Sequence, residues 1–203
     1  SVCVTTCGDG IKAGSEACDD HNTTPGDGCS GTCTVESGWT CTGSAPSTCN
    51  TTCGDGIKTG AEACDDHNTT PSDGCSGTCT VESGWSCTGS APSVCVSTCG
   101  DGIKTASEGC DDGNTTATDG CSGTCTVEAG WSCTGSAPSV CVSTCGDGIK
   151  TAAEGCDDGN TTATDGCSAT CTVEAGWSCT GSAPSACNPT CGDGLVVGGE
   201  QCD

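Results

Sequence analysis

Six cysteines return at the same six places in every 46 residues of this chain, and that recurrence limits its possible folds more than any other feature. The tetrapeptide Cys-Gly-Asp-Gly begins at Cys7, Cys53, Cys99, Cys145 and Cys191. Between the stretches 99–144 and 145–190 five positions differ: Ser107/Ala153, Gly123/Ala169, Val140/Ala186, Val142/Asn188 and Ser143/Pro189. A period of this length marks a tandem array of one small unit. The chain divides into 1–6, the end of a preceding copy, then four full copies over 7–52, 53–98, 99–144 and 145–190, and 191–203, the start of a further copy. Copies adjoin without a linker, through Cys49-Asn-Thr-Thr-Cys53 and its equivalents. The first six residues hold one cysteine, Cys3, and the chain stops at Cys202-Asp203 inside the acidic segment. It is therefore expected to be a window on a longer array of the same unit.

Little else could hold such a unit together. The 203 residues include no Phe, Tyr or Met and only four Trp, against 27 Cys. Apolar residues other than cysteine are mostly Ala and Val, which bury little area each. A 46-residue module with so small a core falls in the regime where disulfides and metals stabilise the fold. The expected bridging cysteines are Cys7, Cys18, Cys29, Cys33, Cys41 and Cys49 in the first copy and Cys53, Cys64, Cys75, Cys79, Cys87 and Cys95 in the second. The third contributes Cys99, Cys110, Cys121, Cys125, Cys133 and Cys141, and the fourth Cys145, Cys156, Cys167, Cys171, Cys179 and Cys187. Six cysteines allow 15 pairings. The stretch 32–42 reads as two short strands around Ser37-Gly38, with Thr34 opposite Cys41 and Cys33 on the other face, which disfavours a Cys33–Cys41 bond. Gly, Thr, Ser, Asp and Asn dominate the remainder and favour turns over helix interiors. The expected fold class is a series of small disulfide-rich modules of β-hairpins and irregular loops, with little or no helix, stacked into an elongated rod.

All 27 carboxylates occupy six recurring positions, which in the first copy are Asp9, Glu16, Asp19, Asp20, Asp27 and Glu36. With one lysine, each copy carries five net negative charges, which repel one another on compaction. A hard cation relieves that repulsion, and calcium takes six to eight oxygens from carboxylates, amides and backbone carbonyls. The expected calcium ligands are Glu16, Asp19, Asp20, Asn22 and Asp27. Their equivalents are Glu62, Asp65, Asp66, Asn68 and Asp73, then Glu108, Asp111, Asp112, Asn114 and Asp119, then Glu154, Asp157, Asp158, Asn160 and Asp165. Gly8, Gly10 and Gly28 are expected to let the backbone turn carbonyls inward. The loop is no EF-hand, since counting from Asp20 puts Thr24 at position 5 and Gly31 at position 12. Asp9 and Glu36 can equally serve a turn or a hairpin, and the competing reading of all this acidity is a solvated face.

Zinc storage is disfavoured because Cys-x-Cys clusters are absent. His21 and His67 give way to Gly113 and Gly159 in later copies, as a required ligand would not. Trp39, Trp85, Trp131 and Trp177 are expected to cover a disulfide, or else to expose a ring to carbohydrate or a partner. Asn22, Asn50, Asn68, Asn114 and Asn160 each open an Asn-Thr-Thr acceptor pattern, and Asn50, at a junction, is the favoured site for a covalent glycan.

These runs have a familiar order. Cys99-Gly-Asp-Gly102, Glu108-Gly-Cys-Asp-Asp-Gly-Asn114, Asp119-Gly-Cys-Ser122 and Cys125-Thr-Val-Glu-Ala-Gly-Trp-Ser-Cys133 together resemble the cysteine-rich repeat of secreted myxobacterial-type proteins, which also occurs in some eukaryotic extracellular proteins. His21 and His67 depart from the pattern, as do Ala106 and Ala152 where glycine is common. The resemblance implies secretion and a disulfide-bonded, metal-binding repeat without enzymatic activity.

Several functions fall away on chemistry alone. Nucleic-acid binding needs clustered cations, and this chain has four lysines and no arginine. No apolar run is long enough to span a membrane. So many cysteines indicate an oxidising, extracellular setting. A catalytic triad finds no histidine in two of the four copies. Near-identity of the copies favours a stiff extracellular fibre or stalk, whose partners are copies of itself, over a glycan- or protein-binding region of a secreted adhesin or receptor. An ice-binding surface fails because one Thr-Cys-Thr triplet per copy makes no regular array.

Overall fold

The computed structural model describes residues 6–199 and 201. The expectations placed on Cys3 and Cys202 lie outside the described residues. The fold comprises two compact units, residues 1–98 and 99–203, each holding two full copies. Among the described residues there is no helix. Each copy contributes one two-stranded antiparallel sheet: β1 (Trp39–Thr42) with β2 (Thr48–Thr51), β3 (Trp85–Thr88) with β4 (Val94–Ser97), β5 (Trp131–Thr134) with β6 (Val140–Ser143), and β7 (Trp177–Thr180) with β8 (Ala186–Pro189). In the first, Trp39 faces Thr51, Thr40 faces Asn50, Cys41 faces Cys49 and Thr42 faces Thr48. The period of two turns Thr40, Thr42, Thr48 and Asn50 outward and leaves Trp39, Cys41, Cys49 and Thr51 half-buried.

This hairpin lies further along the chain than the sequence suggests. Ser37-Gly38 does form a turn, closed by Trp39 N–H on the Glu36 carbonyl at 3.2 Å, but no ladder runs back along 32–36. Val35 bridges instead to Cys29, and the Glu36 carboxylate is taken by the N–H groups of Gly26 and Gly28. The segment after the turn then pairs forward across the 43–47 loop. Strand propensity alone could not choose between the two neighbours, because Thr-Cys-Thr lies on one side of Trp39 and Thr-Cys-Asn on the other.

Within each copy the disulfides join the first cysteine to the fourth, the second to the third and the fifth to the sixth. These are Cys7–Cys33, Cys18–Cys29 and Cys41–Cys49, then Cys53–Cys79, Cys64–Cys75 and Cys87–Cys95, with the same order in the later copies. Cys33 and Cys41 thus take other partners. Among the described residues the buried apolar side chains are all cysteines: Cys18, Cys29 and Cys33, for example, with Cys7, Cys41 and Cys49 packed around them. Each copy has a core of cystine.

Trp39 covers that core and also reaches the next copy. A Cβ on Gly28 would collide with Cys49 Cβ and come within 2.8 Å of Trp39 Cε3, so only glycine lets the indole and the Cys41–Cys49 bridge close over this strand. The far edge of the ring meets Gly60 of the following copy, where an added Cβ would lie 3.0 Å from Cζ2. Alongside, Thr52 N–H donates to the Gly38 carbonyl at 2.9 Å, and Gly38 packs on Ile57 and Thr59. The second unit repeats this joint: Thr144 N–H donates to the Gly130 carbonyl at 2.8 Å, and Gly130 packs on Ile149 and Thr151. Trp39 therefore serves both its own cystines and the joint, as Trp177 does with Gly166 and Gly198 in the second unit.

Candidate cation site

Two kinds of carboxylate emerge, distinguished by what reaches their oxygens. Asp19 is fully buried, with Oδ2 accepting from Gly8 N–H at 2.9 Å and Oδ1 from Gly10 N–H at 2.9 Å and His21 N–H at 3.0 Å. Its own backbone N–H donates to Ser47 Oγ at 3.1 Å, and Ser47 N–H returns a bond to its carbonyl at 2.6 Å. One residue thus ties the Cys-Gly-Asp-Gly loop to the acidic segment and the hairpin loop. Asp65, Asp111 and Asp157 do the same through Ser93, Ser139 and Ser185. Burial alone would raise the pKa of the Asp19 carboxyl. The surrounding N–H groups of His21, Gly10, Gly8 and Asp9 outweigh that and hold it below the ordinary aspartate value, as happens at Asp65, Asp111 and Asp157. Gly8 and Gly10 therefore turn their N–H groups inward, toward an anion, and not the carbonyls expected from the sequence.

Asp20 and Asp27 form the second kind. Asn22 Nδ2 donates to Asp27 Oδ2 at 3.0 Å, while Asn22 Oδ1 accepts from Thr24 N–H at 2.6 Å, so the amide is fixed and its oxygen is committed. Beside it the Asp20 and Asp27 carboxyl groups come within hydrogen-bonding reach of each other, as Asp66 and Asp73 do in the second copy. The Oδ1 atoms of Asp20, Asp27, Asp66 and Asp73 are buried and have no hydrogen-bond partner, and neither have those of Asp119 and Asp165. Burial raises the pKa of Asp20 and Asp66, and the charge of Asp27 or Asp73 raises it further. Two facing carboxylates with orphaned oxygens are stabilised by a shared proton or by a cation. In the later copies Oδ1 of Asp112 and Asp158 accepts weakly, at 3.3 Å, from Asn114 and Asn160 N–H.

The structure thus divides the expected ligands. It brings Asp20, Asn22 and Asp27 together and commits both oxygens of Asp19 to backbone donors. Glu16 Oε2 accepts from Ala13 N–H at 2.7 Å and caps that turn. Its equivalents Glu62, Glu108 and Glu154 are more buried and each keeps an unpartnered Oε1. Asp9 accepts from Ile11 N–H at 2.9 Å and Glu36 clamps Gly26 and Gly28, both as local braces. Cys53, Asp65 and Cys79 lie within ligand spacing of one another, but the two sulfurs are bonded to each other and present no thiolate. Ser47 lies in the Ser/Thr-rich run 42–48, which by composition suits O-linked sugar; its pairing with Asp19 has no signal in the residues beyond the recurrence of Ser44-Ala-Pro-Ser47 in all four copies.

Among the described residues no helix is long and apolar enough to cross a membrane. No curated protein matches the chain. A family model described as a domain of unknown function, DUF4215, matches residues 1–34, 35–80, 82–126 and 128–172, in steps close to the cysteine period. With most of its length accounted for in four consecutive matches, this chain belongs to the DUF4215 family of cysteine-rich tandem repeats.

Proposed function

We propose that this chain is a structural component of a secreted, myxobacterial-type fibre or stalk, in which disulfide-bonded modules each bind calcium. The observation that carries the calcium reading is the facing pair Asp20 and Asp27, with an orphaned Oδ1 on each. Oxygen-only donors of this charge suit a hard divalent cation, with Asn22 orienting Asp27. The fibre reading rests on the joint, because the same tryptophan edge and glycine carbonyl meet the next copy in both units. Identical joints are what a repeating load-bearing array needs. The extracellular setting follows from cystine cores, which a reducing cytosol would open.

Titration calorimetry on the intact chain tests the ion. Calcium is expected to bind at least once per copy, to raise the unfolding temperature by mass action, and to lose affinity as the carboxylates protonate. Double replacement Asp66→Asn and Asp73→Asn should remove one site and leave the others. An absence of calcium heat, with strong heat from zinc, would overturn the assignment.

A second reading has one observation in its favour. A notch of about 240 Å³ opens between the third and fourth copies, lined by Trp131, Glu128, Lys150 and Thr118. An indole beside paired hydrogen-bonding groups suits a saccharide, as a glycan-binding adhesin would require.

A further inference from the structure

Beyond the structural and calcium-binding reading, we propose that Asn50 is an N-glycan acceptor and that the fold withdraws the other four Asn-Thr-Thr motifs from the same reaction. All five satisfy the acceptor pattern. Their surroundings differ completely. Asn22 sits half-buried in the acidic loop, its Oδ1 held by Thr24 N–H and its Nδ2 by Asp27. Asn68 and Asn114 repeat both bonds, to Thr70 N–H and Asp73 and to Thr116 N–H and Asp119. Asn160 Oδ1 accepts from Thr162 N–H at 2.6 Å. In the folded module all four amides are half-buried with their oxygen held by a backbone N–H, and in the first three copies the nitrogen that would take the sugar is bound to a carboxylate.

Asn50 stands on the outer face of β2, exposed, with the short Thr40 as its cross-strand neighbour. Its amide makes no hydrogen bond that the hairpin depends on. The acceptor threonine of the motif, Thr52, keeps its hydroxyl at this face, where it shares a 2.8 Å hydrogen bond with Thr40 Oγ1. The same strand position is Val96 and Val142 in the next two copies, and in the fourth it is Asn188 followed by Pro189, which the acceptor pattern forbids. The Cys41–Cys49 bridge fixes the strand beneath, so a glycan here projects outward without disturbing the cystine core.

The reaction is a redox-neutral group transfer. Asn50 Nδ2 forms a bond to the anomeric carbon of an oligosaccharide carried as a polyprenyl diphosphate ester. The bond from that carbon to the diphosphate oxygen breaks, polyprenyl diphosphate leaves with the electron pair, and the amide gives one proton to a base on the transferase.

Mass spectrometry of the protein from its native source tests this directly. After reduction and cleavage at lysine, the fragment spanning 13–58 carries Asn22 and Asn50 together, so electron-transfer fragmentation compares the two within one peptide. The expected result is a saccharide increment on Asn50 and none on Asn22, Asn68, Asn114 or Asn160. Asn50→Gln should abolish the increment and leave the unfolding temperature unchanged. A bare Asn50, or sugar on any of the other four, would overturn the proposal.

Discussion

Full reduction in the presence of a chelator should unfold every copy. Each copy is held by loops of 26, 11 and 8 residues closed by disulfides, and in the chain-entropy account each closure contributes about 2–4 kcal/mol. Three such bridges sum to roughly 6–12 kcal/mol per copy, as much as the whole stability of an ordinary domain. Nothing apolar stands in reserve, because the buried apolar side chains are the cysteines themselves. Amide exchange across all four copies should therefore rise to the unprotected rate on reduction. Removing one bridge alone, by Cys110→Ala with Cys121→Ala, should cost about 2–5 kcal/mol and free the 99–144 copy first. Protected amides surviving reduction would mean that some other force holds the fold.

The second large effect belongs to the buried aspartates. Asp111→Asn keeps shape and removes charge, setting an amide N–H₂ against a backbone donor of Gly100, Gly102 or Gly113. A buried donor left unpaired costs about 1–3 kcal/mol, so this copy should lose protection well before its neighbours. Asp101→Asn, at an exposed brace, should cost well under ~1 kcal/mol. The titration follows the same division. Asp111 and its equivalents, with pKa depressed in the fold, supply stability that is present above the unfolded value near 3.8 and lost as pH falls below it. Asp20 and Asp66, with pKa raised, weaken the fold when charged, and that weakening is relieved as pH falls from neutral through their folded values. Without metal, stability measured by chemical denaturation should accordingly rise on mild acidification and then fall below about pH 4. Calcium should abolish the rise by occupying the pair. A metal-free profile falling steadily from pH 7 would contradict both assignments.

Much of this was legible in the residues and some was not. The repeat, the lack of helix and the cystine core follow from spacing and composition, because a unit with one aromatic ring and six cysteines has few ways to exclude water. The hairpin position did not follow, since Thr-Cys sequences flank Trp39 on both sides and only Glu36, taken by Gly26 and Gly28, removes one from contention. The six acidic positions were evident, but their division was not. Sequence shows that Asp19 and Asp20 are adjacent; it does not show that one meets three backbone donors while the other meets Asp27. Hydrogen-bond direction depends on φ at Gly8 and Gly10, both near 88°, and no pattern of residue types encodes which way those peptides face.

The proposal of a load-bearing array, with cystine cores and a calcium ion in each copy, is tested most directly by electron microscopy of the native protein in negative stain, with and without chelator. The account predicts long filaments of uniform width in calcium that soften or come apart in chelator. Discrete particles unchanged by chelator, retained on a saccharide column, would contradict it.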